Sequence, residues 1–314
     1  MVGRALVTGV TGQDGRYLAE QLLGDGWQVH GMVREKAETV TEGVVVHPGD
    51  LADPDVFEVL VPAVAPDVVF HLAGMSSVAQ SWQEPAATAE LTGTAVARLL
   101  QACFAGPAGA GPRVVLASSA EVFGAAEHAP QDERTPVRPA SPYGAAKAFA
   151  LHLGGVYRRA GHHVSAAVLY NHESPRRPTT FVTRKITSTV AAIAHGTAGE
   201  LRVGNLDARR DWGWAPDHVD AMVRMAIADS PDDYVVATGE GHTVRELVAA
   251  AFAAAGVEDW QRLVHVDPRF VRPVDAVDLV GDASHARRRL GWTPTVPFEE
   301  IVARMVRADL AGPG

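Results

Sequence analysis

Ala5-Leu6-Val7-Thr8-Gly9-Val10-Thr11-Gly12-Gln13-Asp14-Gly15 decides the architecture of this 314-residue chain. Ala5-Leu6-Val7 is a short apolar run of the kind a buried parallel strand needs. Gly9, Gly12 and Gly15 follow at GxxGxxG spacing, and Tyr17, Leu18, Gln21 and Leu22 continue at helical spacing. Strand, glycine turn and helix in that order allow a tight turn, close approach of backbone to a pyrophosphate, and close helix–sheet packing. The spacing differs from the GxGxxG of most dinucleotide folds, and a purely structural turn would use the same glycines.

Working outward, the same alternation repeats. Val29–Val33 and Val44–Val46 read as the next two strands, and Val56–Val64 has helical spacing. Asp67–Ala73, Arg113–Ala117 and Val164–Leu169 read as further strands, with helices over Ala86–Ala102 and Pro142–Arg159 between them. Near-continuous apolar strands alternating with helices predict a doubly wound α/β parallel sheet. After Tyr170 the character changes. Asn171–Pro178 is polar, Phe181–His195 is an amphipathic helix, and Leu201–Trp214 reads as a loop rich in Arg, Asp and Trp. Beyond it, short helices alternate with proline-rich connections. Two parts are expected, 1–170 and a smaller, mixed 171–314, with some of 215–238 returning to the first.

Composition narrows the function classes. The chain is 47% hydrophobic and 21% charged, an ordinary globular balance, and no apolar run is long enough to span a bilayer. Met1–Gly9 has no secretory pattern, so a cytoplasmic location is expected. A net charge of −9 argues against nucleic acid or an anionic membrane as partner. One cysteine, Cys103, excludes an internal disulfide and a cysteine metal cage. Lysine occurs only at Lys36, Lys147 and Lys185, and every other basic residue is arginine.

The second strand ends in Met32-Val33-Arg34-Glu35-Lys36, where an NAD-binding chain would carry an acid for the ribose hydroxyl. Arg34 and Lys36 suit a 2′-phosphate, which favours NADP, whereas Glu35 would repel it and keeps NAD as the alternative. A solvated strand end would show the same residues.

The chemistry sits further along. Tyr143 and Lys147 lie four apart on a helix and share one face. A lysine ammonium beside a phenol favours the phenolate, so the expected phenol pKa is lowered. Ser119 ends a strand and offers a second hydroxyl to the same oxygen. Glu121, two residues on, faces the same pocket if the segment stays extended. A carboxylate there is more than hydride transfer needs, and points to an added proton transfer such as elimination of water. The bland alternatives are an exposed helix turn and a loop glutamate.

Longer blocks carry a resemblance. They are Ser141-Pro142-Tyr143-Gly144-Ala145-Ala146-Lys147, Asn171-His172-Glu173-Ser174-Pro175-Arg176-Arg177, Phe181-Val182-Thr183-Arg184-Lys185-Ile186, Gly204-Asn205-Leu206-Asp207-Ala208-Arg209-Arg210-Asp211-Trp212-Gly213 and Val266-Asp267-Pro268-Arg269-Phe270-Val271-Arg272-Pro273. With the glycine block, these resemble the extended short-chain dehydrogenase/reductases, and within them the GDP-mannose 4,6-dehydratases. Ala120-Glu121 stands where dTDP-glucose dehydratases carry an Asp-Glu pair.

The resemblance implies a Rossmann-type sheet and dehydration of a GDP-sugar by an internal NADP redox cycle. It implies Ser119, Glu121, Tyr143 and Lys147 as catalytic residues. It places the cofactor on Gly9, Thr11, Gly12, Gln13, Asp14, Gly15, Arg34, Asp50, Leu51, Leu72, Ala73, Tyr143, Lys147, His172 and Arg177. Ser76, Asn171, Val182, Lys185, Arg210 and Arg272 are implied for the GDP-sugar, with no metal. A homodimer is implied through the helices around Ala86–Ala102 and Pro142–Arg159. The shortened segment after Arg34 leaves a tetramer open. Against the family pattern, Ser119 replaces a threonine, Phe123 a tyrosine, and Trp214 and His218 a histidine and a tyrosine, changes expected to reshape the sugar pocket. The same Tyr–Lys pair would also serve a 4-epimerase or 4-keto reductase, and a pure nucleotide-sugar binder would keep the pocket without turnover.

Overall fold

The computed structural model describes residues 3–34, 39–107, 109–124, 126–270 and 278–312. Strands β1 (Arg4–Thr8), β2 (Gln28–Val33), β3 (Val45–Pro48), β4 (Val68–His71), β5 (Arg113–Ala117) and β6 (Val164–Leu169) come first. They are followed by β7 (Asn171–Glu173), β8 (Leu201–Val203), β9 (Arg209–Trp214), β10 (Asp233–Val236), β11 (Gly241–Thr243), β12 (Val264–Val266) and β13 (Asp278–Leu279). Seven of them form one parallel sheet in the order β10-β6-β5-β4-β1-β2-β3.

Both faces of this sheet are covered, which is why its strands are apolar throughout. Leu6, Val69, Leu116, Ala166 and Val168 pack into one core with the helices Val56–Val64, Ala95–Cys103 and Pro142–Arg159. Ala5, Val7, Val68, Phe70, Val115 and Ala167 point the other way, into a core with the helices Gln13–Gly24 and Ala215–Ile227. Adjacent residues thus serve opposite cores, as the two-residue period of a strand dictates. β10 adds beside β6, so the chain returns to the first sheet after the helix Ala215–Ile227.

A third core holds the remaining elements. Ile186, Val190, Trp212, Leu247, Phe252, Phe298 and Val302 bring together the helices Val182–Ala194, Val244–Ala254 and Phe298–Leu310. Val182–Ala194 is the amphipathic helix expected over Phe181–His195, whereas the other two, at 11 and 13 residues, are longer than the short helices expected there. Leu201–Trp214 is not a loop. It contains β8, which pairs with β12, and β9, which is flanked by β7, β11 and β13. The polar reading of that stretch misled because Arg210 and Asp211 are buried. Their backbones are satisfied by neighbouring strands that are distant in sequence, and local composition cannot register that pairing.

The helix expected over Ala86–Ala102 is interrupted. A π-helical turn, Ala89–Thr94, separates Pro85–Thr88 from Ala95–Cys103. Among the described residues, no helix is long and apolar enough to cross a membrane.

Candidate active site

The glycine turn is a cradle with no room for side chains. Gly9 has φ +72°, a left-handed conformation, and a Cβ there would lie 2.9 Å from the Ala73 nitrogen. A Cβ on Gly15 would lie 2.2 Å from the Gly9 carbonyl oxygen, so the helix Gln13–Gly24 starts pressed against the turn. Gly12 precedes that helix without any side-chain cap, which leaves the first-turn N–H groups to a ligand. These features fit the pyrophosphate of a dinucleotide. Thr11 is half-buried beside them.

The floor of the turn was not anticipated. Thr8 is fully buried, and its Oγ1 accepts from the Leu72 and Ala73 N–H groups at 3.2 Å each. With both lone pairs used, it donates to His71 Nδ1 at 2.9 Å, which puts the imidazole proton on Nε2. Burial, then the nearby Lys147 charge, pushes His71 down to about 3, so the ring is neutral. The one sequence signal was a histidine ending an apolar strand. Asp50 caps its own turn by accepting from the Ala52 N–H at 2.9 Å, and Leu51 is buried against the first core.

Across the sheet edge, Ser119, Glu121, Tyr143 and Lys147 converge. Ser141 caps the helix Pro142–Arg159 by accepting from the Gly144 N–H at 3.0 Å, and Pro142 opens its first turn. That start aims Tyr143 and Lys147 back toward the end of β5. Lys147 Nζ donates to the Ala117 carbonyl at 2.7 Å and lies 5.8 Å from the centre of the Tyr143 ring. Ser119 is hydrogen-bonded to the Tyr143 phenol, and its Oγ accepts from the Glu121 N–H at 3.3 Å.

Two expectations change here. The segment after Ser119 is not extended but turns into a short 3₁₀ helix, Ala120–Val122. Glu121 still faces the phenol closely enough for its charge to raise the Tyr143 pKa. The phenol itself is pushed up to about 12, not down. Burial dominates, the Glu121 charge adds to it, and the Ser119 hydrogen bond and Arg177 offset only part. Burial also lowers Lys147 to about 8.

The strand β7 meets the glycine turn from the other side. Gln13 Nε2 donates to the His172 carbonyl at 3.1 Å, and Ser174 Oγ donates to Gln13 Oε1 at 2.8 Å. His172 Nε2 lies 2.9 Å from Asp14 Oδ2. Burial alone would raise the Asp14 carboxyl, but the charge and hydrogen bond of His172, with Arg177, hold it well below the usual range. Arg177 stacks over Phe181 at 3.7 Å and lies 3.4 Å from Glu173, whose Oε2 also accepts from Thr183 Oγ1 at 2.5 Å. Burial raises the Glu173 pKa against those partners.

Apart from Ser76, the residues expected to meet the sugar nucleotide belong to the second part. Asn171 is half-buried on β7, next to Trp212 of the strand that carries Arg210. Arg210 is buried and donates to the Arg209 carbonyl at 2.7 Å. Lys185 Nζ lies 3.2 Å from the Phe270 ring centre, while Val182 and Ser76 are exposed. Arg209 and Arg269 sit in ion pairs with Asp278 and Asp267 at 3.0 and 2.7 Å. Arg34 is exposed at the end of β2. Glu35, Lys36 and Arg272 lie outside the described residues.

The residues whose changes were expected to reshape the pocket are packed against their neighbours. Phe123 is 2% exposed and belongs to the first core. His218 is fully buried, stacked on His172 with ring centres 4.6 Å apart. Trp214 packs beside Val296, Ile301 and Met305. Cys103 is a free, buried thiol, pushed up to about 12 by burial. Among the described residues, no cluster of metal-ligating side chains is present.

The profile of the family described as GDP-mannose 4,6 dehydratase matches residues 6–305. An Arabidopsis thaliana protein, GDP-mannose 4,6 dehydratase 2, is 42% identical over 98% of this chain and 86% of its own length. Among solved structures, RMD from Pseudomonas aeruginosa complexed with NADPH is similar at TM-score 0.82 and 26% identity, covering 99% of each chain. The UDP-glucose 4-epimerase of Thermus thermophilus in complex with NAD is similar at TM-score 0.86 and 27% identity, covering 99% of this chain and 100% of that one. A glycine cradle facing a Ser–Tyr–Lys–Glu cluster whose Tyr143 and Lys147 are buried, on a chain matched from residue 6 to 305, leads to one assignment: the chain belongs to the GDP-mannose 4,6-dehydratase family.

Proposed function

We propose that this protein is a nicotinamide-dinucleotide-dependent lyase that converts GDP-mannose to GDP-4-keto-6-deoxymannose and water. The convergence of Ser119, Glu121, Tyr143 and Lys147 beside the glycine cradle carries the reading. The cradle of Gly9, Gly12 and Gly15 would hold a dinucleotide, whose nicotinamide would supply the reversible hydride acceptor that the C4 and C6 positions of the sugar need.

The chain's own groups handle the protons. Tyr143 Oη takes the O4 proton, with the Ser119 hydroxyl bonded to the same oxygen. Lys147, held on the Ala117 carbonyl, keeps a positive charge beside the phenol and so favours the phenolate form that takes this proton. The resulting C4 ketone acidifies C5–H, and Glu121 lifts that proton. The C6–O bond breaks, and the proton taken from C5 leaves with the hydroxide as water. A proton equal to the one lifted from O4 is delivered to C5, so the sugar loses one water and nothing else. Asn171, Lys185, Arg210 and Arg272 are assigned to the GDP-sugar, because arginine and lysine match a pyrophosphate by fork geometry and point charge.

NADP is the cofactor proposed, on Arg34 at the end of β2, where a guanidinium suits a 2′-phosphate. Arg34→Ala should weaken NADP binding about tenfold and leave NAD unchanged; equal loss of both would reject this role. A homodimer is proposed on the exposed apolar side chains of the layer containing Pro142–Arg159, where Phe149 and Val156 are 50% and 49% exposed.

The reading is tested by incubating the purified protein with GDP-mannose and following the nucleotide sugar by mass. Loss of one water without net cofactor consumption is expected. Unchanged mass would indicate a 4-epimerase or a binder, and net cofactor consumption a reductase.

A further inference from the structure

The two halves of the site are joined by a stack of side chains to which the proton chemistry gives no task. Asp14 lies in the first turn of the helix behind the glycine cradle, and its Oδ2 faces His172 Nε2 at 2.9 Å. The other ring nitrogen of His172, Nδ1, faces the Tyr170 carbonyl at 2.7 Å. A carboxylate and a carbonyl only accept, so both ring nitrogens carry protons and the ring is a cation. On its flat face lies His218, with ring centres 4.6 Å apart and planes 25° apart. His218 is wholly buried, turns Nδ1 to the Trp214 carbonyl at 3.2 Å, and meets Trp292 edge-on. Burial, then the neighbouring His172 charge, keeps it neutral.

His218 in turn rests on β9. A Cβ on Gly213 would lie 2.3 Å from His218 Cε1, so only glycine lets the ring lie against that strand. Gly213 pairs with His172 across β7 and β9, and Arg210 is three residues away on the same strand. The stack therefore runs unbroken from the cradle helix to the strand carrying the proposed substrate cation.

We propose that His172 is a positioning residue: its cationic ring, held between the Asp14 carboxylate and neutral His218, locks the first turn of the cradle helix onto the β7–β9 pair. This rests on the reading that the cradle binds a dinucleotide. The charged and titratable groups around the ring are Asp14 on the helix, Glu173 and Arg177 from the segment that contains it, and His218 from the helix Ala215–Ile227. Burial opposes the charge on His172, but Asp14 outweighs it and the ring's pKa stands above the ordinary value. The lock is therefore fully present below the ordinary histidine range and is lost as pH rises through that raised pKa, when the ring loses one N–H and its charge. Dinucleotide affinity should fall on the alkaline side for this reason.

The test uses the full chain as wild type, His172→Gln and Asp14→Asn, with NADP binding followed by calorimetry from about pH 6 to about pH 9.5, where the unperturbed histidine range ends well below the upper limit. Nitrogen-15 histidine spectra of the ligand-free wild type are recorded over the same range. His172 should be doubly protonated at neutral pH, and the wild-type Kd should rise several-fold at the alkaline end. His172→Gln should bind about tenfold more weakly at neutral pH, the size expected of a lost charge-assisted bond, with a shallower alkaline fall than the wild type. Asp14→Asn should shift the histidine titration downward, which a merely structural role would not do. A singly protonated His172 at neutral pH, or a flat wild-type profile, would overturn the proposal. Should His172→Gln not fold, the wild-type spectra and Asp14→Asn decide alone. Failure of the wild type to bind any dinucleotide would count against the functional reading, and the spectra would still judge the lock.

Discussion

Lys147 Nζ and the Ala117 carbonyl oxygen are 2.7 Å apart, a bond that ties the Tyr143 helix to the end of β5. The lysine is 8% exposed, with its ammonium between strand and phenol. Arginine carries a broader head and a charge that never titrates. Lys147→Arg should cut turnover at least about a hundredfold. Lys185→Arg, half-buried over Phe270, should cost less than about tenfold. Steady-state rates on GDP-mannose check the ranking, and full activity in Lys147→Arg would remove the lysine from the chemistry.

Glu121→Gln separates the two proton transfers. Oxidation at C4 should persist, while water loss falls by about a hundredfold or more. The readouts are the absorbance of reduced cofactor and the exchange of C5–H with deuterated solvent. Normal product from this variant would place the C5 base elsewhere.

With the Tyr143 phenol pushed up to about 12 by burial, the free protein holds it protonated across neutral pH. The base form becomes more populated as pH rises, so kcat/KM should climb toward about tenfold per pH unit through neutral pH. Tyr143→Phe should be slower at every pH by at least about a hundredfold, with a flat profile. A wild-type profile that is flat or falling would mean that another group takes the O4 proton.

Acid should destabilise the fold well above the carboxylate range. His71 and His218 are buried and neutral, with pKa values far below the ordinary 6.5. The unfolded chain takes up their protons as pH drops below about 6.5 while the folded chain refuses them, so stability is lost in that direction. Each group adds a slope of up to about 1.4 kcal/mol per pH unit. For His71 the loss continues down to about pH 3, where the folded ring accepts its proton. Denaturant titrations from about pH 7 to about pH 4 should show the slope, and His71→Gln should reduce it.

Phe149→Glu places a charge on the exposed apolar side of the helix Pro142–Arg159. It should convert a dimer to monomer, read by light scattering behind size exclusion, with little change in unfolding temperature. A wild-type monomer at micromolar concentration would end the dimer proposal.

The elements legible in advance were those set by local physics. Arg113–Ala117, Pro142–Arg159 and Val164–Leu169 begin and end where apolar runs, Ser141-Pro142 and the flanking turns place them. Strands buried on both faces must be apolar throughout, and a helix facing a core repeats every three to four residues, so each element writes its own pattern. The glycine cradle was legible for the same reason, since Gly9 and Gly15 answer backbone constraints within one turn. Tyr143 and Lys147 shared a face because four residues make about one helical turn.

What sequence alone determined, then, was the alternating architecture, the cradle and the Tyr–Lys face. Tertiary structure decided how those groups behave. β9 read as a loop because its partners, β7, β11 and β13, come from separate stretches of chain and leave no local trace. Phe123, read in sequence only as a departure beside Glu121, packs into the first core through residues far along the chain. The Tyr143 phenol was expected to titrate low beside Lys147, but desolvation depends on everything packed around a group, and burial raised it. His172 finds Asp14 158 residues away and His218 on a third element, a contact that only the folded chain can form. Periodicity and backbone geometry are properties of neighbours in sequence, whereas burial, pKa and charge pairing are properties of neighbours in space.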